Sequence, residues 1–141
     1  MKVVNLKLSQ VKPYANNPRK NDQAVEGVAA SIREFGFCQP LVVDRDYVII
    51  VGDTRFKAAK RLNLKTIPVY VADHLTAAQI AAYRLADNKV GEKSVWADDL
   101  LADEIAALKD SDIDLSEMGF ELEQKATELR PVEERLLPAL T

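Results

Sequence analysis

Apolar and polar residues alternate along the chain in two different rhythms. Val4, Leu6 and Leu8 are separated by polar residues, which sets every second side chain on one face and predicts a half-buried strand closed by Pro13. After a turn at Asn16-Asn17-Pro18-Arg19 the spacing becomes helical. Asp22 can cap a helix whose stripe is Val25, Val28, Ala29 and Ile32, and Gly36 stops it. Leu41-Val42-Val43 and residues 47–51 flank Asp44-Arg45-Asp46, the pattern of an antiparallel hairpin. Its second arm, Val48-Ile49-Ile50-Val51, is a β-branched run leading directly into Gly52 and another helix. Residues 67–71 form a further strand, with Pro68 near its start, where a missing N–H is best tolerated.

Thr76-Ala77-Ala78-Gln79 has capping-box spacing and predicts a helix running through Tyr83 towards Leu85, with Asp87-Asn88-Lys89 at its C-terminal end. A last amphipathic helix is expected over 97–108, burying Leu101, Ile105 and Leu108. Beyond Asp110 the apolar residues are scattered among too many charges to form a core, which suits a loosely docked helix or a linker. These elements predict an α/β (α+β) fold: a small mixed sheet with a hairpin and flanking helices over 1–108, then an acidic C-terminal helix or linker over 109–141.

Composition narrows the chemistry. A chain of 141 residues with 48% apolar content suits one domain with a modest core. No stretch approaches the roughly 20 apolar residues that span a bilayer, and the N-terminus lacks the apolar centre of a signal peptide, so no membrane partner and a cytoplasmic location are expected. Cys38 and His74 are each the single residue of their type. That excludes an internal disulfide, a cysteine-cluster zinc site and histidine-based serine or cysteine proteases, and no zinc is expected. Cys38, between Phe37 and Gln39-Pro40, reads as a small buried or half-buried hydrophobe, His74 as a loop residue and Trp96 as a packing anchor.

Charge is unevenly distributed: residues 1–97 hold 15 Lys and Arg against 9 Asp and Glu, whereas 98–141 hold 4 against 13. A basic body suits a nucleotide or polyanion, and the acidic tail repels DNA or folds over the basic surface.

The strongest chemical signal is Gly52-Asp53-Thr54-Arg55. Glycine allows a sharp turn out of the strand, Asp53 or Thr54 is a favourable N-cap, and the exposed amides and positive dipole end of the following helix attract an anion. Arg55, in the first turn, can curl back and clamp phosphate oxygens in a fork, while Lys57, Lys60 and Arg61 face solvent. Two readings stay open on pattern alone: a phosphate site, or an ordinary strand-turn-helix junction whose Arg55 pairs with a carboxylate.

The ordered set Asn17-Pro18-Arg19, Ser31-Ile32 with Gly36, Gln39-Pro40-Leu41-Val42-Val43, Gly52-Asp53-Thr54-Arg55 with Ala58-Ala59, and Ile67-Pro68 resembles the ParB N-terminal domain family of the ParB/sulfiredoxin superfamily, over roughly residues 5–105. Arg84-Leu85-Ala86-Asp87-Asn88-Lys89, followed by Trp96 and Leu100-Leu101, is similar to the phage and prophage branch, in which the domain often precedes a DNA methyltransferase. The resemblance implies that Gly52, Asp53, Thr54 and Arg55 occupy the Gly-Glu-Arg-Arg motif that cradles CTP phosphates in chromosome-partition members. It also implies that Asp87 and Asn88 match the Glu-Asn pair associated with the triphosphate and its magnesium, with Lys89 adding a point charge and Arg19 reaching a phosphate or a neighbouring protomer of a nucleotide-closed homodimer. The cofactor implied is thus a nucleoside triphosphate with Mg. The sequence departs from the motif at Asp53, a shorter acid, and at Thr54, in place of the first arginine. The arginine-rich continuation after Asn88 is also missing. These departures bear on triphosphate affinity and on hydrolysis.

Sulfinic acid repair of the sulfiredoxin type has no nucleophile, because Asp53 and Thr54 stand where that branch has cysteine and histidine. A phosphotransferase, a metal-dependent nuclease or a weak nucleoside triphosphatase needs a carboxylate near the phosphates, for which Asp53, Asp87 and Glu92 are the candidates. No basic recognition helix follows in 98–141, so contact with DNA is expected to be weak, phosphate-directed and salt-dependent, or supplied by another domain or chain. Three functions remain: a nucleotide-binding switch or accessory domain in DNA modification, partition or regulation of a phage or mobile element; an enzyme using Asp53 or Asp87; or a degenerate protein-protein adaptor.

Overall fold

The computed structural model describes residues 2–17, 20, 22–93 and 95–120, which divide between two compact units, Met1–Lys93 and Ser94–Thr141. In the first unit four strands form one sheet in the order β1-β4-β2-β3: β1 (Val3–Lys7), β2 (Leu41–Val43), β3 (Ile49–Val51) and β4 (Thr66–Val71). β1 and β4 are antiparallel, β4 and β2 parallel, β2 and β3 antiparallel. The sheet is therefore mixed and contains the expected hairpin. Its turn is set by Tyr47 at φ 66° and by the Asp44 carboxylate, which accepts from the backbone N–H of Asp46 at 2.8 Å and of Val48 at 3.0 Å.

Pro68 sits inside an interior strand, and the ladder shows why that is tolerated. Ala72 N donates to Val43 O at 2.8 Å, so by the two-residue alternation of a strand the nitrogens of Tyr70 and Pro68 also point towards β2. The pairing with β2 begins only at Val69. Pro68 thus aims its missing donor past the end of that partner.

One face of the sheet supplies Leu6, Leu41, Val43, Ile49, Ile67 and Val69 to a core completed by Phe56 and Ala59 of helix α2 (Asp53–Arg61). Helix α1 (Asp22–Phe35) lays Val25 and Ala29 against Ala58 of α2, with Val28, Ile32 and Leu62 at the rim. The small residues at 29 and 58, both with no exposed surface, let the two helices approach closely. α1 ends where expected: Gly36 takes φ 85° and its N–H donates to Ile32 O at 2.8 Å.

Several expectations are corrected. Leu8 does not continue β1 but opens a 3-10 turn, Leu8–Gln10. The capping box forms, with Thr76 N donating to Gln79 Oε1 at 2.9 Å and Gln79 N to Thr76 Oγ1 at 3.2 Å. The helix it starts, α3 (Ala77–Lys93), continues well past Leu85, because nothing between Leu85 and Lys93 breaks a helix apart from one glycine, whose cost of roughly 1 kcal/mol is small over such a length. Asp87, Asn88 and Lys89 accordingly lie within α3 and not at its end. Cys38 is exposed, with its thiol donating to Phe35 O at 3.1 Å.

The second unit contains α4 (Asp98–Ala107), which matches the last predicted helix in extent but not in its buried face, since Leu101 is buried, Ile105 half-buried and Leu108 exposed, and a 3-10 turn, Leu115–Met118, in which the Asp114 carboxylate accepts from Ser116 N at 3.0 Å. That hydrogen bonding holds the Asp114 carboxyl below its ordinary value. Trp96 packs on Phe120 with ring centroids 6.0 Å apart, yet 64% of it stays exposed.

Candidate functional site: a two-arginine cavity at the start of a helix

The β-branched run of β3 ends at Val51, and the chain enters α2 through Gly52 at φ 111°, ψ 23°. Two independent constraints require glycine there. A side chain at that φ is strained, and a Cβ would lie 2.3 Å from Leu41 Cδ2 and 3.1 Å from a terminal nitrogen of Arg55. Gly52 is itself the N-cap and, having no side chain, makes no side-chain cap hydrogen bond. The expected cap by Asp53 or Thr54 is therefore corrected: both are already within the helix, and the N-cap position falls to Gly52. The α2 amides have no intrahelical acceptor in this first turn, and the positive end of the dipole opens onto a cavity of about 150 Å³.

Arg55 takes neither of its anticipated partners in simple form. Its Nη1 donates to Gln39 Oε1 and its Nη2 to Pro40 O, both at 3.2 Å, so its bonds go to an amide and a carbonyl and not to a carboxylate. Its Nε is buried with no hydrogen-bond partner. Burial pulls the guanidinium below its ordinary value, and the charge of Asp87 acts in the opposite direction. A guanidinium does not deprotonate in a protein, so the desolvation remains as a local excess of positive charge that an anion would relieve.

A second guanidinium faces the same cavity. Arg84 of α3 donates Nε and Nη2 to Ile49 O at 3.1 and 3.0 Å and lies over the Tyr14 ring, 3.7 Å from its centroid. Tyr14 is brought there by an isolated bridge between Lys12 and Val48, just before β3, with Ile49 N donating to Lys12 O at 2.9 Å. Arg84, Asp87 and Asn88 share one face of α3 by their spacing of three and four residues, and all three line the cavity together with Tyr14, Asn17, and residues 49–55.

The cavity thus unites Gly52, Asp53, Thr54, Arg55, Asp87 and Asn88 of the sequence-derived set. Lys89 is exposed and is not among the lining residues, and Arg19 lies outside the described residues. Asp53 is largely covered and pairs with Lys57 at 3.4 Å. Lys57 also reaches Asp22 at 3.2 Å. Burial alone would lower the Lys57 ammonium, but the Asp22 hydrogen bond and the attraction of Asp53 outweigh it and raise the net value. Lys60 lies 4.9 Å from the Phe56 ring centroid and Arg61 pairs with Glu26. Lys60 and Arg61 are exposed, as expected, while Lys57 is half-buried, and each of the three has a neighbour of its own. Arg84 and Tyr14 are what the sequence reading missed. The signal was present for Arg84, since it lies one helical turn before Asp87 and Asn88, but a helix read as ending near Leu85 hides that shared face.

As for a metal, Asp87 and Asn88 carry side-chain oxygens of the hard type that a cation such as Mg would accept as ligands. Among the described residues no group of three or more His, Cys, Asp or Glu is clustered to hold a metal by itself. Among them, too, no helix is long and apolar enough to cross a membrane.

The sheet order, the glycine-led helix and the flanking helices define a small α/β domain with a mixed four-stranded sheet. The chain belongs to the ParB N-terminal domain family, which matches residues 1–89. It is 35% identical over 80 residues to the ParB-like nuclease domain-containing protein YnaK of Escherichia coli K12, covering 56% of this chain and 92% of that one. It is 36% identical over 73 residues to a probable chromosome-partitioning protein ParB of Campylobacter jejuni, covering 48% of this chain but 26% of the relative. The chain therefore matches about a quarter of that partition protein. In three dimensions it resembles the C-terminally truncated chromosome-partitioning protein ParB of Caulobacter crescentus complexed with CTP-γ-S, with TM-score 0.69 at 18% identity, covering 99% of this chain and 89% of that structure.

Proposed function

We propose that the domain is a nucleotide-binding switch or accessory module, taking a nucleoside triphosphate of the CTP or ATP type, in DNA modification, partition or regulation of a phage or mobile element. The observation that carries this reading is the convergence on one cavity of the first turn of α2 and two guanidinia, one of them with a buried Nε lacking a partner. A phosphate group suits this concentration of positive charge beside a helix N-terminus. The fold shared with a CTP-γ-S-bound partition protein supports the choice of ligand class.

In mechanism, the phosphates dock on the first turn of α2 and are gripped by Arg55. Asp87 and Asn88 of α3 would be the residues to hold a Mg ion, which when bound would supply positive charge to balance the triphosphate. Because α2 and α3 contribute different donors, a ligand that contacts both favours the arrangement in which the two helices close on it, and this shifts which surface a partner or second protomer meets. Contact with DNA in this scheme is weak, directed to phosphates and lost with added salt, or is provided by another domain or chain.

A thermal-shift panel of nucleotides, with and without Mg, tests the reading directly. At a concentration one hundred times Kd a ligand adds about 2.7 kcal/mol to the folded state, and Arg55→Ala is expected to abolish the shift. Stabilisation without phosphate release supports the switch. Release of product gives the enzyme reading, with Asp53 or Asp87 as base, and an unmoved midpoint with every nucleotide gives the adaptor.

A further inference from the structure

Helix α3 is attached to the domain without a buried apolar face. Helices in proteins owe most of their stability to an apolar face packed on a neighbour, yet none of residues 77–89 is buried. The half-buried ones, Ile80, Arg84 and Asn88, recur every fourth residue and so form one stripe. Of these three Ile80 alone is aliphatic. Tyr83 and Leu85, on either side of Arg84, are 39% and 61% exposed and add little apolar burial.

Arg84, at the centre of that stripe, supplies hold where apolar packing does not. Its Nε and Nη2 both donate to Ile49 O, at 3.1 and 3.0 Å, and its guanidinium lies 3.7 Å from the Tyr14 ring centroid. Ile49 belongs to β3, at the edge of the sheet, and Tyr14 follows the Lys12–Val48 bridge. A planar guanidinium with two donors on one carbonyl and an aromatic ring against it is fixed in distance and in orientation. Lysine, a point charge on a flexible stem, reproduces the charge but not the orientation. Fixing Arg84 also fixes what lies one turn further on. Asp87 and Asn88, three and four residues later, line the cavity together with Arg55, and the Asp87 charge acts on the Arg55 guanidinium.

We propose that Arg84 is a positioning residue: by mooring α3 to Ile49 O and Tyr14 it holds Asp87 and Asn88 on the cavity wall, and so sets the affinity for a nucleotide in its Mg complex without itself gripping the phosphates. This role rests on the nucleotide reading above. Residues that orient the ligands of a metal typically change metal affinity by about 10- to 100-fold when they are lost.

CTP and ATP are titrated calorimetrically into the full chain, with Mg and with EDTA, for the wild type and Arg84→Lys, with amide exchange followed in parallel. Arg84→Lys is expected to weaken binding by about tenfold or more in Mg and by less than about twofold in EDTA, because the charge is kept and Arg55 is untouched. Exchange along 77–89 is expected to quicken by about tenfold or more while that of β2 is unchanged. Tyr14→Leu, which removes the ring but not the bonds to Ile49, is a second and milder loosening expected to move the ratio of Mg to EDTA affinities in the same direction. Adding Asp87→Asn to Arg84→Lys should bring little further loss in Mg, since both changes withdraw the same carboxylate.

Equal weakening in Mg and in EDTA makes Arg84 a direct phosphate ligand and overturns the positioning role. Wild-type affinity in Arg84→Lys, unchanged exchange along 77–89, or a wild type that binds equally with and without Mg overturns it too, and in all of these cases the nucleotide reading stands. A wild type that binds neither nucleotide under either condition overturns both together.

Discussion

Replacing Gly52 by alanine tests the geometric core of the site with a single methyl group. Two costs arise from different causes. Holding an L-residue in a left-handed conformation costs roughly 1–2 kcal/mol, and φ 111° lies beyond the favourable left-handed well. The new Cβ would also stand 2.3 Å from Leu41 Cδ2. Leu41 has no exposed surface and is packed in the core, so it cannot swing into solvent, and overpacking of this kind costs about 1–3 kcal/mol. Lower entropy of the unfolded chain returns only about 0.4–1 kcal/mol. The expected loss is about 2–4 kcal/mol, read as a lower urea midpoint by far-ultraviolet circular dichroism and a fall in Tm of roughly 8 °C or more.

A double-mutant cycle with Leu41→Ala separates the two causes. Making room at 41 removes the clash but not the dihedral strain, so the double variant should be more stable than the sum of the single losses by about 1–3 kcal/mol. A Gly52→Ala protein within about 0.5 kcal/mol of the wild type, or strict additivity in the cycle, would refute the geometry on which the site rests.

Three further outcomes follow from the described contacts. Arg84→Ala leaves Ile49 O without its two guanidinium donors and uncovers Tyr14, so a stability loss of about 1–3 kcal/mol is expected in urea melts, together with weaker nucleotide stabilisation in the thermal-shift panel. Thr76→Ala breaks the capping box of α3 and should cost about 0.5–2 kcal/mol, whereas Thr76→Ser should be close to neutral; equal losses would remove the cap from the account. Lys57, raised in the folded state by Asp22 and Asp53, contributes stability that is fully present below the ordinary lysine value and lost as pH rises through the folded-state value. The gap between wild type and Lys57→Met in urea melts should therefore be constant near neutrality and shrink only in strong alkali.

Much of this fold was legible because local rules and tertiary packing agree. The alternation at Leu6, the helical stripe of α1, the hairpin about Asp44 and the Thr76-Gln79 box each state their element directly. Pro68 was placed correctly near a strand start, but its tolerance depends on where β2 begins, which no local pattern contains. The extent of α3 was misjudged because its interior residues Asp87 and Asn88 resemble end signals, although a helix supported by neighbours runs through such residues. The cradle at Gly52 was readable since all its parts are contiguous. The second wall was not: Tyr14 reaches it through the Lys12–Val48 bridge and Arg84 through its bonds to Ile49, both non-local contacts.

That difference in separation along the chain has a consequence for assembly. The hairpin, Gly52 and α2 close over short loops, whereas β1 must find β4 with Val3 opposite Tyr70, a closure carrying a larger entropy penalty. The Gly52 turn therefore belongs to the part of the domain that can organise itself first, and the N-terminal strand is the seam expected to be added last and to fray first. Native-state amide exchange would show this as protection that is deeper in β2 than in β1.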